Sequence, residues 1–276
     1  MRILLAALLL IGCAPSPPAD PEFSDAGRFL FRSFETDEPA ELAFAVRALI
    51  DGLQANIDLD APDSADRALI PEHLDEVDTA GLELADRDVS GGLAMTVAGR
   101  SRYAPDAHTA VQLLDDQTPV EPNSPNSYVR TFLGGADCWA DRSCGVLRTE
   151  NQILRENLVL EIPYRMFKDF RWVDLGLPDP SSVPAGQPVV NEGEPVWALL
   201  ARSWVPESAV GVSGENTLWL QNSFEVWVPD GDGAIRTMTL WWDVTGPALT
   251  DETQELTARN GMAAIFERGD EVLDGL

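Results

Sequence analysis

The chain has 276 residues, room for one large or two small domains, with 46 acidic against 19 basic side chains and a formal net charge of −27. Such a charge repels phosphate backbones and anionic headgroups, which argues against nucleic-acid binding and against a polybasic membrane patch. Two histidines supply little for a His-rich metal centre or a Ser-His-Asp site, and no cofactor is expected.

Met1-Arg2 is a minimal basic start, and Ile3 to Ile11 is an apolar run too short to span a bilayer as a helix. The run ends in Leu10-Ile11-Gly12-Cys13, which resembles the lipobox of bacterial lipoproteins. That resemblance implies cleavage before Cys13, a diacylglycerol on its sulfur and an acyl chain on its new amine. In many Gram-negative lipoproteins an Asp after the Cys retains the protein at the inner membrane. Ala14 stands there, so the resemblance implies an outer-membrane lipoprotein facing the periplasm or the exterior. Each buried methylene contributes about 0.8 kcal/mol, so several acyl chains make the membrane a near-permanent partner. Residues 1–12 are then signal peptide, and 13–35 the lipidated Cys and a tether that begins with Pro-rich Ala14-Pro-Ser-Pro-Pro-Ala-Asp20. Extended at about 3.1 Å per residue, that tether lifts the domain roughly 20 Å off the surface. Loss of Arg2 takes the charge to −28.

Residues 36–276 are expected to form one α+β domain, helical over about 36–127 and a sheet with a terminal helix over about 128–273. Thr36-Asp37-Glu38-Pro39 caps a helix whose apolar stripe is Leu42, Val46, Leu49, Ile50 and Leu53. The stretch 58–85 is acidic and helix-prone in pieces. Asp58, Asp60, Asp63 and Asp66 offer hard oxygen ligands, but the Gly and Glu of an EF-hand loop are missing, so a solvated loop is expected. Ser90-Gly91-Gly92 breaks the chain before a strand at 93–97. Pro105-Asp106 opens another helix with apolar Ala110, Val111, Leu113 and Leu114. His73 and His108 lie in polar surroundings and read as solvated side chains. A Pro/Asn/Ser loop follows at 117–127.

Cys138 and Cys144 are close in sequence, flanked by glycines and in an exported context, so a local disulfide is expected, contributing roughly 2–2.5 kcal/mol. All eight tryptophans fall at or beyond Trp139, which puts the sheet core in the C-terminal half. Strands are expected at 157–162, 170–175, 197–205, 218–228 and 235–244, with a Pro/Gly-rich loop at 183–195. Gly211-Val-Ser213-Gly-Glu misses the G-x-S-x-G spacing and reads as a loop. Thr250-Asp251-Glu252 caps a last helix with Leu256, Met262, Ala263, Ile265 and Phe266 on its apolar side and Gly269 as its stop.

The strands around Pro229-Asp230-Gly231-Asp232-Gly233 form a hairpin. Alternation sets Leu218, Leu220, Phe224, Val226 and Val228 against Trp219, Gln221, Ser223, Glu225 and Trp227 in the first strand. In the second, Met238, Leu240, Trp242 and Val244 oppose Ile235, Thr237, Thr239 and Trp241. With Leu220, Phe224, Leu240 and Trp242 as core, the face bearing Trp219 and Trp227 is aromatic yet polar, and suits a ligand groove. Trp219, Gln221, Glu225, Trp227, Trp241 and Arg202 are the candidate ligand residues. Lys168 and Arg202, set beside aromatic residues, are basic spots suited to orienting an anionic head.

The order of an early helix, a helical insertion, antiparallel strands and a long last helix is similar to that of START-like helix-grip lipid-binding domains over roughly 36–273. The resemblance implies a curved antiparallel sheet wrapped on the C-terminal helix around an apolar cavity. Three functions are carried forward. The first is a non-enzymatic lipoprotein that binds an apolar or amphipathic ligand, an envelope lipid for example. The second is a structural or assembly lipoprotein that docks an envelope protein through its aromatic face. The third is a hydrolase, for which no carboxylate pair or triad stands out from the acidic background.

Overall fold

The computed structural model describes residues 22–84, 88–121, 127–156, 161–176, 195–247 and 249–276. The signal peptide, Cys13, the stretch 14–20, most of the expected strand at 157–162 and most of the loop at 183–195 lie outside the described residues.

Four helices and nine strands are described: α1 (Phe23–Arg32), α2 (Pro39–Asn56), β1 (Ala68–Leu69), β2 (Leu93–Ser101), α3 (Pro105–Gln112), β3 (Ser127–Phe132), β4 (Leu147–Glu156), β5 (Glu161–Asp174), β6 (Trp197–Trp204), β7 (Ala209–Val210), β8 (Thr217–Asp230), β9 (Gly233–Thr245) and α4 (Asp251–Asp274). The strands make one sheet of order β1-β2-β9-β8-β6-β5-β4-β3, with β7 paired to β8. Every neighbouring pair is antiparallel. This is the expected α+β class, an antiparallel sheet with N-terminal helices and a packed C-terminal helix.

Helix α2 buries Leu42, Val46, Leu49, Ile50 and Leu53, the stripe its spacing predicts. Helix α1 corrects the expected tether, because Ala26, Phe29, Leu30, Phe31 and the following Phe34 are all fully buried. The folded domain therefore begins by Phe23 and not at residue 36. Both helices pack on one face of the sheet, against Leu200 of β6, Leu220, Phe224 and Val226 of β8, and Ile235 and Trp241 of β9. Helices α3 and α4 contact the sheet through β6, β8, β2 and β9. On that second face Met262, Ala263 and Phe266 of α4 meet Met95, Val97 and Leu240.

The stretch 58–84 forms turns and the short β1 rather than helices, with Asp58 and Asp63 accepting from the backbone amides of Asp60 and Ala65. Strands β3 and β4 carry no clear alternation of apolar and polar residues, because their buried faces include Arg130, Thr149 and Asn151. Within the last helix Gly269 is not a stop; α4 runs on to Asp274, and a Cβ at residue 269 would lie 3.0 Å from an Arg236 nitrogen. Leu256, expected on the apolar side, is 49% exposed.

The hairpin forms with Asp230 paired to Gly233, and Gly231 takes the positive φ (59°) that its tight turn requires. Its faces differ from simple alternation in two ways. A β-bulge at Trp219 lets β8 advance two residues, from Leu218 to Leu220, while β9 moves one, from Val244 to Asp243. Leu218 therefore shares the face of Gln221, Ser223 and Glu225 and packs with Tyr164, Met166 and Val244. Register then pairs Phe224 with Thr239 and Val226 with Thr237, so in β9 it is Ile235 and Trp241 that join the α1–α2 core. Leu240 and Trp242, expected in that core, lie on the other face.

Candidate functional site

The face toward α3 and α4 is layered along the strands. At one end Trp139, Leu147, Phe170, Trp172, Leu199 and Trp227 form an aromatic layer. At the other, Tyr128, Ile153, Tyr164, Met166, Leu218 and Val244 form an aliphatic and aromatic one. Between them runs a belt of buried polar side chains: Arg130, Thr149, Asn151, Lys168, Ser203, Ser223, Glu225 and Arg236. Cross-strand pairing aligns Thr149 with Lys168, Lys168 with Ser203, and Ser203 with Ser223. Once one strand turns a polar residue inward, its neighbours in register must satisfy it, which is how a belt forms.

Thr149 Oγ1 donates to the Lys168 carbonyl (2.7 Å), and Asn151 Nδ2 to the Met166 carbonyl (3.0 Å). The hydroxyls of Ser203 and Ser223 lie 2.6 Å apart. Glu225 lies between two cations: the Lys168 ammonium donates to one carboxylate oxygen, and Arg236 approaches the other at 3.4 Å. Burial raises the Glu225 carboxyl, but the two cations outweigh it and hold it below the usual carboxylate range. Burial also pushes the Lys168 ammonium down, with Arg130 and Arg236 adding repulsion and Glu225 opposing them.

The belt borders a cavity of about 60 Å³, room for about two water molecules at roughly 30 Å³ each. Lys168, Ser203, Ser223, Glu225 and Arg236 line its polar side, and Tyr128, Ile153, Tyr164, Met166, Met238, Val120 and Ile265 of α4 supply the apolar walls. Arg155 and Glu121, an ion pair at 3.1 Å, complete it beside Gln112 and Gln117.

The candidate ligand residues do not converge. Gln221 and Glu225 line the cavity. Trp227 shares their face but is fully buried in the aromatic layer. Trp219, 43% exposed on the bulge, donates through Nε1 to Thr245 Oγ1 at 2.9 Å. Trp241 and Arg202 are corrections, because both point to the opposite face. Trp241 packs edge-on against Phe31 at 5.5 Å and donates to the Glu72 carbonyl. Arg202 is buried between Asp169 (3.3 Å) and Glu35 (2.8 Å) and lies over the Phe34 ring. Lys168 and Arg202 therefore cannot share one anionic head. Arg130, Arg155 and Arg236 were missed, since nothing in their local sequence separates an inward Arg from the solvated ones.

Cys138 and Cys144 are joined in a disulfide, Cα atoms 5.2 Å apart, closing the loop that inserts Trp139 against Phe170 and Trp172. His108 is another correction: it is 1% exposed, not a surface side chain. Its Nε2 lies 2.9 Å from Ser101 Oγ, and Ser101 in turn donates to Asp270 of α4. Burial, reinforced by the Arg236 charge, drives its pKa down to about 3. The unfolded chain thus binds a proton below about pH 6.5 that the native chain refuses, so stability must fall as pH drops from about 6.5 toward 3. Wild type is expected to lose about 2 kcal/mol more than His108→Gln between about pH 7.5 and 5 in urea melts. Parallel pH profiles for the two proteins would show that His108 titrates normally.

No family model and no curated protein matches this sequence. Among solved structures the chain is similar to the human StarD13 (DLC2) lipid transfer and protein localization domain, with a TM-score of 0.41 and 14% identity over 83% of this chain and 98% of that one. It is also similar to a STAR-related lipid transfer protein from Xanthomonas axonopodis, with a TM-score of 0.40 and 12% identity over 71% and 89%. Both are likenesses of backbone path.

Proposed function

We propose that this chain is a lipid-anchored envelope protein that binds an apolar or amphipathic ligand between its sheet and α4, without turning it over. The carrying observation is the partly open cavity, apolar and aromatic on one side and hydrogen-bonding on the other, a division that suits an amphiphile. Its volume takes a head group and no chain. Helix α4 brings Ile265 to the cavity wall and rests on the sheet through Ala258, Met262, Ala263 and Phe266, so a ligand with a chain requires α4 to shift.

Docking of a protein through an aromatic face fits less well. Trp227 and Trp241 sit inside packed layers, and Trp219 is the one exposed tryptophan among the described residues. A hydrolase would need a base, and buried His108, with its pKa near 3, is a poor one. Native mass spectrometry of the purified protein, before and after solvent extraction, tests the binding reading. A removable adduct of lipid mass is expected. Identical masses, together with no uptake of added amphiphile, would sink it.

The anchor is tested separately. Cys13→Ser is expected to abolish metabolic labelling by a palmitate analogue and to leave an unprocessed precursor or a soluble protein in place of the lipid-anchored one, because the lipobox has no other thiol to modify. Equal labelling of wild type and variant would remove the lipoprotein reading.

A further inference from the structure

We infer that the ligand of this cavity carries an acidic head group, a carboxylate or a phosphate, received by Lys168 and Arg236. This deepens the binding reading above and rests on it.

The argument starts from a charge imbalance. Lys168 and Arg236 keep only 10% and 3% of their side-chain surface, and the one carboxylate between them is Glu225. Behind them lies Arg130, also buried, whose hydrogen bonds go to Asn151 Oδ1, the Gln112 carbonyl and the Tyr128 hydroxyl, all neutral oxygens. Arg155 and Glu121 cancel each other at the cavity's edge. Nearby His108 is neutral, so it contributes nothing. The belt thus buries three positive charges around Glu225, with Asp270 of α4 as the second carboxylate acting on Arg236, which leaves an excess of one positive charge inside a chain of net charge −27.

A buried charge without a partner costs several kcal/mol, so an interior excess of this kind persists where something supplies the missing negative charge. The donors point the same way. Lys168, Arg236 and Arg155 all contribute charged N–H groups to the lining of the cavity. An oxyacid group accepts several such bonds at once, and charge-assisted bonds are the strong ones. A neutral hydroxyl answers neither the charge nor the number of donors.

Residue choice supports the assignment. Lys168 is the only lysine among the 19 basic residues, so the chain uses arginine everywhere else. A compact ammonium leaves open the space beside Ser203 and Ser223 that a guanidinium would fill. Arg236 also reaches the Ile265 carbonyl of α4 at 3.3 Å, which ties the head-group position to the helix over the cavity.

The test is a head-group series on one tail, measured by titration calorimetry with the full chain carrying Cys13→Ser, which has no acyl anchor to compete. Dodecanoate and dodecyl phosphate are expected to bind at least tenfold more tightly than dodecanol, with dodecylamine weakest; the tighter of the two acids identifies the head. Lys168→Gln and Arg236→Gln are expected to erase the acid preference, but wild type alone decides the matter if either variant folds poorly. Dodecanol binding as tightly as dodecanoate would overturn this inference and leave the binding reading standing. Failure of all four amphiphiles to bind would refute both.

Discussion

Trp227→Ala and Trp241→Ala are each expected to lower stability by about 3–5 kcal/mol in denaturant melts, whereas Trp219→Ala stays within about 0.5 kcal/mol. The first two indoles have lost essentially all contact with solvent, on opposite faces of the sheet. Trp227 fills the aromatic layer beneath the Arg236 guanidinium, whose centre lies 5.2 Å from its ring. Trp241 locks β9 to α1 through Phe31 and to the 58–84 stretch through the Glu72 carbonyl. Truncation opens a cavity the size of an indole in a packed region, and at Trp241 it also removes the hydrogen bond to the Glu72 carbonyl. Trp219 sits on a bulge facing water, where an indole costs little to remove. Equal destabilisation by all three would mean that the bulge does not turn Trp219 outward.

Glu225→Gln is expected to be comparably damaging, about 3–5 kcal/mol, although it removes a charge and almost no volume. The carboxylate is the shared partner of Lys168 and Arg236, and without it two buried cations face each other. The double variant Glu225→Gln/Lys168→Met is expected to be more stable than the single one, since it removes a cation along with the carboxylate. The pH dependence has a definite sign. Because its native pKa is depressed, Glu225 contributes stability above the ordinary Glu range near pH 4.3, and that contribution is lost as pH falls through the depressed value. Glu225→Gln should therefore flatten the acid limb of the stability profile. A variant as stable as wild type would show that the cations are compensated by another group.

Local patterns were legible where one side of an element meets water. The stripe of α2, the Thr250 cap of α4, the Gly231 turn and the cysteine pair were each readable from spacing alone. Helix α1 has the right spacing too, with Phe23, Gly27, Leu30, Phe31 and Phe34 recurring every three or four residues. A Pro-rich run before it made a tether the simpler expectation. The lipobox at 10–13 is sequence information throughout and lies outside the described residues.

Only the tertiary structure decided which face of each strand is core. Both faces of this sheet are covered, by α1 and α2 on one side and by α3 and α4 on the other, so hydrophobic alternation loses its contrast. A single bulged residue then reverses Leu218 relative to Leu220, and register alone sends Trp241 to one side and Trp242 to the other. The site suffers most from this. Lys168, Glu225 and Arg236 come from three strands, separated by 57 and 11 residues along the chain; aromatic neighbours mark Lys168 and Glu225 in the sequence, whereas Arg236 looks like an ordinary surface charge and nothing local joins the three. Their character is burial and mutual contact, which belong to the folded sheet and have no local signature.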